Sequence, residues 1–121
     1  MSFPQRGELY WVNLDPTVGS EIAKTRPALI ISNNIGNKHA DRVIVAPISS
    51  SGTGKVYPFE VLLKASEVST RPSESSLSQR SKVLLDQIRT VDKSRLSNRI
   101  GTLKSKQMKE VNRAIRLSLA V

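Results

Sequence analysis

Only one stretch of this chain carries a helical period, and it comes last. Met108, Val111, Ile115 and Leu119 recur at three- and four-residue intervals, which predicts a helix over Ser105–Leu119 with one apolar stripe. Lys106, Lys109, Arg113 and Arg116 fall on a different side. Everything before it consists of short apolar runs broken by turn residues, so strands must build most of the fold. Residues 9–14 are β-branched and aromatic and stop at Asp15-Pro16, a turn signal. Residues 17–25 lack periodicity and read as a loop. The apolar run 27–32 suits a strand buried on both faces, and the Asn- and Gly-rich stretch 33–37 ends it as a turn. A strand is expected over 42–48, then the polar linker 49–55, then a fourth strand over 57–63 with Pro58 early or on an edge. The Ser- and Glu-rich stretch 64–80 reads as an irregular crossing loop with room for one helical turn. Strand character resumes over 81–91, Asp92 caps a turn, and 99–103 gives a short last strand. Five to seven strands and one C-terminal helix make a mainly β (α+β) fold, a strongly bent sheet or small barrel packed by the helix.

A chain of 121 residues has room for one compact domain, taken as 1–121. It has no Cys, so no disulfide framework holds it. No apolar run approaches the roughly 20 residues that span a bilayer, and the N-terminus lacks an apolar leader core. A cytoplasmic protein is the expectation, with no membrane partner. Nineteen Lys and Arg face ten Asp and Glu, and residues 61–121 hold thirteen of the basic against five of the acidic side chains. Such an excess favours a polyanionic or acidic partner, although it also serves solubility alone.

The residue inventory removes several chemistries. A single His and no Cys leave no zinc site, and the scattered acids show no D-x-D or D-x-x-E pair to gather Mg²⁺. Two-His ribonuclease chemistry fails by count, since only His39 exists, in a turn-like stretch. No P-loop, G-x-G-x-x-G or G-x-S-x-G motif occurs. Cleavage of RNA by its own 2′-OH remains natural without metal or cofactor. It needs orientation, proton transfer and stabilisation of phosphorane-like charge, which an Arg fork beside a hydroxyl can supply. Composition permits this scheme without establishing it.

An ordered set of motifs is more specific. It runs through Arg6-Gly7-Glu8-Leu9-Tyr10-Trp11-Val12, Gly19-Ser20-Glu21, Thr25-Arg26-Pro27-Ala28-Leu29-Ile30 and Ile35-Gly36-Asn37. It continues with Val43-Ile44-Val45-Ala46-Pro47-Ile48, Tyr57-Pro58-Phe59-Glu60-Val61 and Leu84-Leu85-Asp86-Gln87-Ile88-Arg89-Thr90-Val91-Asp92. Over most of its length the chain thus resembles the MazF/PemK family of toxins. The resemblance implies an SH3-like barrel of the MazF/PemK/CcdB type, a homodimer, and a sequence-specific endoribonuclease that cleaves single-stranded mRNA without metal. It also implies a cognate antitoxin whose acidic, disordered segment covers the RNA groove.

Carried onto this sequence, the family's catalytic Arg matches Arg26, which position alone reads equally as an ion-paired surface residue. The family's Thr after the V-x-P-I strand matches Ser49, which keeps the hydroxyl but lacks the methyl that restricts χ1. Ser50 can share its task, and a polar linker is the alternative for both. Glu21 matches an acidic loop residue near the scissile phosphate, yet a lone loop carboxylate serves loop order just as well. Gly19, Ser20, Thr25, Lys55, Asp86, Gln87 and Arg89 are the further candidates for RNA contact. Gln87 reads equally as an outward polar residue on a strand. Arg80, Lys82 and Arg89 add phosphate attraction or are merely solvated. Trp11 and Tyr10 alternate in direction, so at most one faces RNA. Two rivals share the fold: a gyrase poison of the CcdB type, and a barrel that binds RNA without cutting it.

Overall fold

The computed structural model describes residues 3–74 and 76–121; Met1, Ser2 and Ser75 lie outside the described residues. Within them the order is β1 (Glu8–Asn13), β2 (Thr25–Ile30), α1 (Asn34–His39), β3 (Arg42–Ser49) and β4 (Glu60–Lys64). A 3₁₀ turn (Ala65–Glu67) leads to β5 (Val68–Ser69), β6 (Arg80–Leu84) and β7 (Arg89–Asp92). A second 3₁₀ turn (Lys93–Arg95), β8 (Leu96–Leu103) and α2 (Ser105–Leu119) complete the chain. The sheet runs β4-β6-β3-β2-β1-β8-β5, with β7 also beside β3, and every pairing is antiparallel.

β3 changes partner along its length, and that change bends the sheet. Residues 42–45 oppose β7, whereas Ile48 and Ser49 oppose Val83 and Lys82 of β6. The result is a nearly closed antiparallel barrel of eight strands among the described residues, with a C-terminal helix. This is the mainly β fold that the short apolar runs and the helical stripe imply, with more strands than the five to seven expected. Alternation along the central strands divides two cores. Leu9, Leu29, Ala46 and Ile48 join Val61, Leu63, Val83 and the helix residues Val111 and Ala114. Val12, Ala28, Ile30, Val43, Val45 and Val91 fill the other face. A slip of one residue in β2 would exchange the two sets, so burial on both faces fixes register strongly.

Four expectations need correction. Residues 34–39 form a short helix where a turn was expected, because the Asn33 side chain accepts the Gly36 amide at 2.7 Å and caps it. Buried Asn37 ties that helix back by donating to the Ser32 carbonyl at 2.9 Å; His39 is its exposed last residue. The fourth strand starts only at Glu60, since the Glu60 carboxylate accepts the Tyr57 amide at 3.0 Å and holds 57–59 in a turn. The apolar run 81–91 is two strands, parted by a turn closed from the Gln87 amide to the Leu84 carbonyl at 3.2 Å. Both strands feed the cores, so hydrophobicity never drops enough to mark the turn. Finally, Leu119 is 56% exposed, while Gln107 and Ala114 are buried. The helix therefore presents a stripe rotated from the one the large apolar residues suggest.

Candidate functional site

The loop between β1 and β2 is anchored in the second core by buried Leu14 and by Ile22, and polar side chains fix the rest of it. Asp15 Oδ1 accepts the Lys24 amide at 2.8 Å, and the Leu14 amide donates to the Lys24 carbonyl at 3.0 Å. Lys24 adopts φ +69°, a left-handed backbone that costs a non-glycine residue on the order of 1 kcal/mol. Gly19 holds φ +61° with open space about it. Glu21 Oε1 accepts the Val18 amide at 2.5 Å, so this carboxylate does order the loop. Gln87 stands in the β6–β7 turn, not on a strand, and its Oε1 accepts the Ile22 amide at 2.9 Å. Arg89 donates to the Leu14 carbonyl at 2.7 Å, so its guanidinium braces the loop instead of standing free in solvent.

The strained Lys24 delivers the chain into β2, where Arg26 lies opposite Val12 and its Nε donates to the Ala23 carbonyl at 3.1 Å. Arg26 lines a hollow of about 280 Å³. Lys24 is the second cation there, and Thr25, Ser50, Ser76, Ser78 and Ser81 line it too, with no acidic residue in its wall among the described residues. Two cations and five hydroxyl-bearing residues suit an anion with many acceptor oxygens. Trp11 also borders this hollow, whereas Tyr10 packs toward the other core.

Ser49 is 7% exposed and is not in that wall. Its hydroxyl accepts the Ser51 amide at 3.2 Å and lies 2.9 Å from the Ser51 hydroxyl. Strand alternation puts Ile48 and Ser50 toward the hollow and turns Ser49 to the other side. A second hollow, of about 570 Å³, gathers Ser20, Glu21, Asp86, Gln87 and Arg89. The candidates thus fall into two groups, with Ser49 beside the first. Gly19 and Lys55 line neither hollow; the Lys55 ammonium sits 5.0 Å from the centre of the Tyr57 ring.

Sequence reasoning passed over Lys24, Ser76, Ser78 and Ser81. Lys24 could have been suspected from its place beside Thr25-Arg26. The serines gave no signal, because only the sheet pairing brings the crossing loop over Arg26. Lys82 differs from a solvated or phosphate-seeking charge: it is buried and paired with Glu60 at 3.0 Å. Across the sheet, Glu8 and Glu74 flank Arg99, with 2.8 Å from Arg99 Nε to Glu8 Oε2. Glu74 lies in the crossing loop, so this cluster fastens to the barrel the segment that walls the first hollow. Desolvation works against ionised Glu74, but the Arg71 amide and the Arg99 guanidinium outweigh it and hold its pKa below the usual value.

Comparison with known proteins identifies the family of the whole chain. The family profile described as PemK-like, MazF-like toxin of type II toxin-antitoxin system matches residues 5–119. Over 117 residues the chain is 41% identical to the endoribonuclease MazF of Staphylococcus saprophyticus, covering 97% of this chain and 92% of that one. The crystal structure of MazF from Deinococcus radiodurans superposes with a TM-score of 0.76 at 29% identity, covering 100% of both chains. A mycobacterial endoribonuclease in complex with its cognate antitoxin gives a TM-score of 0.71 at 25% identity, covering 98% of this chain and 96% of that one. The chain belongs to the PemK-like, MazF-like family of type II toxin-antitoxin toxins.

Proposed function

We propose that this toxin is an endoribonuclease that cuts single-stranded mRNA at a short sequence and so stops translation. The observation that carries the reading is the acid-free hollow in which Arg26 and Lys24 meet the Thr25 and Ser50 hydroxyls. In the proposed step the ribose 2′-OH gives up its proton and its oxygen bonds to the adjacent phosphorus. The bond from phosphorus to O5′ breaks, the leaving oxygen takes a proton, and a 2′,3′-cyclic phosphate and a 5′-OH remain. Arg26 stabilises the added charge on the phosphoryl oxygens, which its planar guanidinium fork matches. Ser49 and Ser50 present hydroxyls at the end of β3, and Glu21, whose Oε1 is taken by the Val18 amide, offers its other carboxylate oxygen for proton transfer from the second hollow. Ser20, Asp86 and Gln87, gathered in the second hollow, read bases beside the cut.

Metal is not needed for this chemistry, and among the described residues no three His, Asp or Glu side chains gather as a metal site would require. The protein works in the cytoplasm on mRNA, as a homodimer neutralised by its cognate antitoxin. The net charge of +9 suits both RNA and an acidic antitoxin segment, and no described helix is long and apolar enough to cross a membrane.

Incubation of RNA with the purified protein in excess chelator tests the reading. Wild type gives discrete cuts. Arg26→Ala slows cutting by about 10²–10³-fold, the usual loss for one preorganised donor at a developing charge. Ser49→Ala and Ser50→Ala each slow it by about tenfold, as loss of one hydrogen bond to a charged group implies. RNA left intact under every condition overturns the proposal.

A further inference from the structure

We infer that Lys82 is a positioning residue for the serine hydroxyls of the 49–56 loop and thereby sets the rate of RNA cutting. This inference rests on the endoribonuclease reading above. Lys82 of β6 stands directly opposite Ser49, the last residue of β3. Its side chain is 11% exposed and lies beneath the loop that Ser49 begins. The ammonium donates to Glu60 Oε1 at 3.0 Å and to the Lys55 carbonyl at 3.3 Å. Glu60, whose side chain is 7% exposed, accepts the Tyr57 amide at 3.0 Å through the same oxygen. One ion pair therefore grips the chain on both sides of Val56, while the β3–β6 pairing holds Ser49. The loop tip turns back over it: Gly52 has φ +66°, and a Cβ there would stand 3.4 Å from Lys82 Nζ.

The loop has little else to order it. Ser-Ser-Ser-Gly-Thr-Gly-Lys (49–55) contains two glycines and no apolar side chain that could pack. Its other ties are the Ser49–Ser51 contacts, a long bond of 3.4 Å from the Lys55 amide to the Gly52 carbonyl, and the exposed Lys55 ammonium 5.0 Å from the Tyr57 ring centre. A glycine-rich segment with so few anchors loses much backbone freedom when its hydroxyls are fixed against a substrate. A charge-assisted bond in a poorly solvated site imposes that order before RNA arrives. Fold stability is a weak reason for the pair, because a buried ion pair seldom outdoes well-packed apolar residues of the same size. What the pair supplies is a fixed loop beside Arg26.

Hydrogen exchange and single-turnover cleavage by the full chain test this. The variants are Glu60→Gln and the double Lys82→Met/Glu60→Gln, which leaves no lone buried charge. In the double variant the amides of 50–57 exchange about tenfold faster, the effect of losing a charged hydrogen bond from a local opening equilibrium. Amides of β1, β2 and α2 keep their protection. The cutting rate falls about tenfold while the apparent KM moves less than about threefold, since geometry is lost rather than binding. If the double variant fails to fold, Glu60→Gln alone, which keeps the ammonium, must show the same pattern more weakly. Unchanged exchange in 50–57 together with an unchanged rate overturns the inference. So does a raised KM at unchanged rate with a shallower salt dependence, which would make Lys82 a phosphate contact. Wild-type protein that leaves RNA whole defeats the endoribonuclease reading, and the rate claim with it; exchange in 50–57 then still decides whether the clamp exists.

Discussion

Tyr10 illustrates how far one side chain's chemistry follows from its strand position. Its ring packs on the core that holds Val12 and Ile30, and its hydroxyl donates to Glu8 Oε1 at 3.1 Å. Desolvation first, then the nearby Glu8 charge and hydrogen bond, push its pKa from 10.0 to about 12. The folded state thus favours the neutral phenol. Tyr10 contributes that stability in full below pH 10, and the contribution is lost as pH rises from 10 to about 12. Denaturation midpoints measured across that window should fall more steeply for wild type than for Tyr10→Phe; parallel curves would show the phenol to be unperturbed. The alternation that turns Tyr10 one way and Trp11 the other was legible in the sequence. The same rule, applied beyond Ile48, sets Ser50 rather than Ser49 in the hollow wall, which the motif match alone did not reveal. Lys82 was not legible at all. A lone lysine between Ser81 and Val83 looks solvated until the β4–β6 pairing sets it beside Glu60.

Elements were recovered where periodicity and capping agreed, and lost where long-range contacts decided. Helix α2 has the bounds its stripe implies, and the 3₁₀ turn after Asp92 follows from a side chain that accepts the Ser94 amide at 2.9 Å. Helix α1 was missed because six residues are too few to show a period, although Asn33 is a good N-cap. The short β5 was missed because only its pairing with β8 makes it a strand. That pairing is close enough to be tested at Gly101. A Cβ there would stand 2.6 Å from the Ser69 carbonyl oxygen and 2.7 Å from Val68 Cγ1, so backbone would have to move. Gly101→Ala should cost about 2–3 kcal/mol, in the range of overpacked sites. In a thermal melt that is a drop of roughly 10 °C, and a melt within a degree or two of wild type would mean that β5 does not hold this close to β8.

At the scale of the molecule, barrel closure explains why chemistry scattered along the chain becomes a site. Arg26 comes from β2, Ser50 from the end of β3, and Ser78 and Ser81 from the crossing loop and β6. A mainly β fold closed by a C-terminal helix was legible, although eight strands form among the described residues where five to seven were expected. A partner change within β3 was not, because nothing local in 42–49 says which residues face β7 and which face β6. Charge adds the long-range part of the account. RNA binding should weaken steeply between low and physiological salt, since each phosphate neutralised releases counterions. A filter-binding series would show it, and a flat response would argue against RNA as the polyanion. The central claim is attack by the substrate's own 2′-OH at the Arg26 hollow. Its most direct measurement compares an RNA with the same RNA carrying one 2′-deoxy nucleotide at the cut, both in excess chelator. The account predicts 2′,3′-cyclic phosphate ends from the first and no cut from the second; equal cutting of both would contradict it.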